Sequence, residues 1–127
     1  MSPSSIDMLQ TAATAADKLG AEELVALDVS EPMPLADIFL IASGRSERAV
    51  SAISDEVERA LLETGHKLLR REGKGGGRWV LCDFGDLIVH IFHREEREFY
   101  ALERLWKDCP AVPFELPTRP SASPDFA

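Results

Sequence analysis

Residues 78–93 read RWVLCDFGDLIVHIFH, and the reading of this stretch decides the fold. Two runs rich in β-branched and aromatic residues, 78–84 and 87–93, flank Gly85 and Asp86, a pair suited to a two-residue hairpin turn. A loop that short fixes the register, because side chains alternate sides and a slip of one residue would turn every one of them over. Phe84 then faces Leu87, Cys82 faces Val89 and Val80 faces Ile91, a wholly apolar side expected to lie on helices. The other side pairs Asp83 with Ile88, Leu81 with His90, and Trp79 with Phe92. It mixes large apolar groups with one carboxylate and one imidazole. Such a side is either a second covered layer, in which Asp83 and His90 need hydrogen bonds, or an exposed anchor surface, where aromatic residues dominate binding energy.

Upstream of the hairpin, residues 46–64 (SERAVSAISDEVERALLET) predict a helix. Ser46 is a natural N-cap, Glu47 suits the positive end of the dipole, and Val50, Ile53, Val57 and Leu61 form one apolar stripe. Residues 37–42 (DIFLIA) read as a strand buried on both faces, broken by Gly44. Residues 24–29 (LVALDV) read as another strand, followed by a segment in which Pro32 and Pro34 forbid a regular element. A first helix is expected over 5–19, capped by Ser4 or Ser5, with Asp7 in its first turn and Gly20 ending it. Residues 67–71 (KLLRR) suggest a short strand, 72–77 (EGKGGG) a loop, and 94–106 a return to helix. Phe99, Tyr100, Leu102, Leu105 and Trp106 fall near helical spacing there, which favours packing over contact for most of them. Five of the eight prolines lie in the last 20 residues, which predicts one domain over 1–110 and a disordered tail over 111–127.

The chain has 127 residues, enough to bury a core without disulfides or metals, and its 45% apolar and 28% charged composition is that of a globular protein. Fourteen Lys and Arg face 22 Asp and Glu, a formal net charge of -8. That balance argues against nucleic acid or an anionic membrane as the direct handle, and it suits a basic protein partner. Residues 1–35 hold six acids and Lys18, whereas 36–107 hold 13 acids and 12 bases, so the middle of the chain is nearly neutral. Cys82 and Cys109, with no secretory or transit signal and no apolar run long enough to span a bilayer, suggest free thiols in a reducing cytoplasm.

Catalytic and metal motifs are weak. EGKGGG lacks the spacing of a phosphate loop. Gly44-Arg45-Ser46 could hold an anion before the helix, but a tight turn with an N-cap accounts for it more simply. His90 and His93 point to opposite sides of one strand, and His66 belongs to another element, so a zinc site is not expected. Asp83 and Asp86 fall on opposite sides of a continuing strand, and Asp37 has no second acid beside it.

The segments 37–42 (DIFLIA), 43–50 (SGRSERAV), 55–58 (DEVE), 72–73 (EG), 77–84 (GRWVLCDF), 85–93 (GDLIVHIFH) and 98–106 (EFYALERLW) occur in an order that resembles the ribosomal silencing factor, or Iojap, family. The resemblance runs from about residue 8 to about residue 113. It implies a single small α/β domain with a mixed β-sheet flanked by helices, similar to nucleotidyltransferases but without their catalytic acids. It implies no cofactor and no enzymatic activity. The implied partner is the basic large-subunit ribosomal protein fourteen, bound at the intersubunit face, so that subunit joining is blocked and translation falls when nutrients are short. The implied partner-binding residues are Trp79 and Asp83, with Leu81 and His90 on the same side of the hairpin and Tyr100 and Trp106 from the FY-LE-LW motif. Two other functions stay open on the sequence: a homodimer formed through the mixed side, and a residual nucleotidyltransferase built around Asp37.

Overall fold

The computed structural model describes residues 2–74, 77–100, 104 and 106–116, without the side chains of residues 74 and 98–100. The elements follow the order α1 (Pro3–Lys18), β1 (Glu22–Asp28), β2 (Ile38–Gly44), α2 (Glu47–Glu63), β3 (Arg70–Lys74), β4 (Trp79–Asp83), β5 (Leu87–His93) and α3 (Arg94–Tyr100). One five-stranded sheet has the order β1-β2-β5-β4-β3. The β2–β5 pair is parallel and the other pairs are antiparallel, so the sheet is mixed. The expected small α/β architecture is therefore the observed one.

The hairpin register matches the expectation: Trp79 lies opposite Phe92, Leu81 opposite His90, and Asp83 opposite Ile88. Its turn is closed by the Phe84 N–H donating to the Leu87 carbonyl at 2.9 Å, with Gly85 at a φ of 91° that an L side chain rarely adopts. Val80, Cys82, Phe84, Leu87, Val89 and Ile91 join α1 and α2 in the main core. In α2, Val50, Ile53, Val57 and Leu61 are all fully buried, as their spacing requires. Helix α1 contributes mostly alanines, and this lets it lie close to the sheet. Burial pushes the Cys82 thiol up to about 11, which leaves it an inert core group.

Four details differ from the sequence expectation. Helix α1 is capped by Ser2, whose hydroxyl accepts the Ser5 N–H at 3.1 Å, with Pro3 in the first turn. Ser5 instead donates to Asp37 at 2.6 Å, and Asp7 falls outside the first turn. Strand β3 is Arg70–Lys74, so it takes up Glu72, Gly73 and Lys74 from the expected Gly-rich loop. The third difference is at the supposed tail. The Asp28 N–H donates to the Pro110 carbonyl and the Val112 N–H to the Ala26 carbonyl, which lays residues 110–112 along the outer edge of β1. Val112, Phe114 and Leu116 enter the main core, and Gln10 binds both the N–H and the carbonyl of Glu115. The alternation V-x-F-x-L puts three apolar groups on one side of an extended chain, and Pro113 and Glu115 between them are exposed, Pro113 where no ladder donor is needed. The expectation for residues 117–127 lies outside the described residues. The fourth difference is in β1, which carries an irregularity between Glu22 and Val25, with Glu23 at a φ of 51°.

Candidate partner-binding face

The sheet's second side is built from alternate residues of every strand. Leu27 and Phe39 lie opposite one another, as do Val25 and Ile41. Ile41 is in register with His90, which faces Leu81, which faces Glu72. Cover is uneven across this side. Toward β1 and β2, Met33, Ala36, Trp106 and Cys109 pack with Leu27, Val29, Phe39, Ile41 and Phe92 into a second apolar cluster. The cover is held there by α3: buried Arg97 donates to the Ser43 hydroxyl and to the Glu23 carbonyl, each at 2.7 Å. Toward β4 and β3 the side has no such cover among the described residues. Trp79, Leu81, Asp83 and Ile88 are half-buried, and Arg70 is exposed.

A chain of ring contacts links the two regions. Trp106 meets Phe39 edge-on at 5.1 Å, Phe39 meets His90 edge-on at 4.7 Å, and Trp79 stacks on Phe92 at 5.0 Å. The Trp79 indole N–H donates to His90 Nδ1 at 3.3 Å. His90 is buried, and loss of solvation pulls its pKa down to about 4, so the imidazole is neutral at pH 7. Its Nε2 has no hydrogen-bond partner among the described residues.

Asp83 Oδ1 accepts the Gly85 N–H at 2.8 Å, and its Oδ2 lies 3.8 Å from Arg70 Nη2. The acid thus shapes the turn while keeping part of its charge at the surface. The structure gathers Trp79, Leu81, Asp83, His90 and Trp106 on one side of the sheet. Tyr100 ends α3, and its side chain lies outside the described residues. Ile88 and Arg70 belong to the same patch. The hairpin register already places Ile88 there, whereas Arg70 depends on the register of β3, which the KLLRR pattern starts too early.

The other candidates find structural partners. Asp37 accepts the Ser5 hydroxyl and the Ser2 N–H, at 2.6 and 3.3 Å, and so anchors the start of α1. It precedes β2, whereas Gly44 ends it, a separation of roughly 20 Å along an extended chain. Ser46 caps α2 by accepting the Ala49 N–H at 3.0 Å. Gly44 is required by close packing, since a Cβ there would lie 2.9 Å from the Val50 nitrogen. Among the described residues no group of three or more His, Cys, Asp or Glu could hold a metal ion, and no helix is long and apolar enough to cross a membrane.

Comparison with known proteins agrees with this arrangement. The family described as "Ribosomal silencing factor during starvation" matches residues 2–126. The ribosomal silencing factor of Halalkalibacterium halodurans is 45% identical over 109 residues, 86% of this chain and 93% of that protein. That of Bacillus subtilis is 44% identical, over 86% of this chain and 92% of that protein. A crystal structure from Chromobacterium violaceum superposes with a TM-score of 0.76 at 32% identity, covering 80% of this chain and 84% of that one. The match runs through the hairpin, the sheet it organises and the helices beneath it, and the chain belongs to the ribosomal silencing factor family.

Proposed function

We propose that this chain docks on large-subunit ribosomal protein fourteen through the β4–β3 part of its second sheet side, and that its bulk there prevents the small subunit from joining. The observation that supports this most is the half-buried Trp79. It is braced by Phe92 below and His90 beside it, while Leu81, Ile88 and Asp83 stay within reach of a partner. A preformed aromatic anchor with apolar neighbours and charges at its rim, here Asp83, Arg70 and Glu72, is the usual make-up of a binding hot spot. The net charge of -8 suits a basic protein on an anionic particle. The chain acts by occupancy rather than by chemistry, in the cytoplasm, and lowers translation when nutrients run short.

Co-sedimentation with separated ribosomal subunits tests the reading. The chain should travel with the large subunit and reduce the yield of joined particles. Binding to the small subunit alone, or to neither, would sink it. Trp79→Ala should weaken binding by at least about 2 kcal/mol, roughly 30-fold. Because Trp79 also stacks on Phe92, the variant should melt somewhat earlier, so binding is to be read well below its midpoint. Light scattering with and without the purified ribosomal protein separates this reading from a homodimer through the same face.

A further inference from the structure

His90 is the one described residue with a buried side-chain atom lacking a hydrogen-bond partner. Its chemistry is constrained. Nδ1 accepts the Trp79 indole N–H, so Nδ1 carries the lone pair. A neutral imidazole then holds its proton on Nε2. The atom left without a partner is therefore a donor. Leaving a buried donor unpaired is costly, and apolar residues of similar shape would fill this position without that cost. Strand β5 is otherwise apolar on this side, with Ile88 before His90 and Phe92 after it. A leucine or phenylalanine here would complete the Phe39–Trp79 cluster.

We propose that the His90 Nε2–H is a recognition donor for a main-chain carbonyl of the protein that covers this face. The inference rests on reading the face as the docking surface for the ribosomal protein. A neutral acceptor fits better than a carboxylate. An anion beside the ring would favour the imidazolium, which has no lone pair left to accept from Trp79. A main-chain carbonyl is neutral, needs no particular side chain, and can follow an anchor residue into a cleft. Nε2 is sealed from water in the free chain, so the side chains around the ring must shift on binding; Trp79 meets the ring directly and Trp106 reaches it through Phe39. These are the only two tryptophans of the chain, so their fluorescence reads this face alone.

The test uses the full chain labelled with 15N-histidine and isolated large-subunit ribosomal protein fourteen as the probe. In the free protein, His90 should show the Nε2–H tautomer. On complex formation its Nε2 proton should move downfield and exchange more slowly, with a change in tryptophan emission. His90→Leu removes both the unpaired buried donor and the acceptor of the Trp79 indole N–H, so the melting temperature of the free chain should change little while binding weakens roughly tenfold. His90→Gln, whose amide can donate from nearly the same place, should recover part of that loss. A complex that forms with the His90 resonances unmoved, or a His90→Leu variant with unchanged affinity, would overturn the donor and leave the docking surface standing. No complex at all would overturn both.

Discussion

Asp83 spends one carboxylate oxygen on the Gly85 N–H and holds the other near Arg70, so its two roles can be separated by substitution. Asp83→Asn keeps an oxygen acceptor for the turn and removes the charge. It should leave the urea midpoint close to that of the parent and flatten the salt dependence of binding; an unchanged salt slope would reject a charge contact there. Asp83→Ala loses the turn bond as well, at a cost of about 1 kcal/mol. His90 makes a second prediction at this scale. Its pKa falls from 6.5 to about 4 on folding, so between those values the unfolded chain binds the extra proton. The stability that the neutral ring contributes is complete above pH 6.5 and is lost as pH falls toward 4, on the order of 3 kcal/mol in all. Urea titrations across that window should show the loss in the parent and a shallower slope in His90→Leu. Equal slopes would mean that His90 is not buried neutral.

At the scale of elements, legibility followed the strength of local constraint. The hairpin was readable because a two-residue turn leaves one register, and α2 because its apolar stripe and Ser46 cap agree. The sequence also put Trp79, Leu81, Asp83 and His90 on one side without help. It failed where a residue's role depends on contacts far along the chain. KLLRR looks at least as β-prone as RREGK, and only pairing with Trp79–Asp83 selects the latter. The cap of α1 went unread because Ser5, one of the two local candidates, is engaged by Asp37 from 32 residues away. The prolines masked the V-x-F-x-L alternation of residues 112–116. That strap should matter: Phe114→Ala empties a core position and should cost about 3–5 kcal/mol by urea unfolding. A loss below 1 kcal/mol would show that the segment merely rests on the domain. Gly44→Ala drives a Cβ into the α2 backbone and should cost about 1–3 kcal/mol by the same measurement.

Over the whole molecule, the charge of -8 and the docking face need not coincide to cooperate. The sheet patch carries little net charge, with Arg70 lying between Glu72 at 3.0 Å and Asp83 at 3.8 Å. Acids gather beside its covered half instead. Asp28, Glu31 and Asp108 act together on Cys109, which packs on the second cluster, and they help hold its thiol above the ordinary range after burial has raised it. Charges so placed would draw in a basic partner without entering the contact, and steering of that kind changes the rate of encounter rather than the lifetime of the complex. Glu31→Gln combined with Asp108→Asn should therefore slow association with the ribosomal protein several-fold at low ionic strength, with dissociation unchanged. The difference should vanish near 1 M salt, where the screening length falls to about 3 Å. Asp28 is left intact because it accepts both the N–H and the hydroxyl of Ser30, and its loss would disturb the loop covering the sheet. Stopped-flow traces at two salt concentrations decide the matter: a slower association that persists at high salt, or a faster dissociation, would place these acids inside the interface.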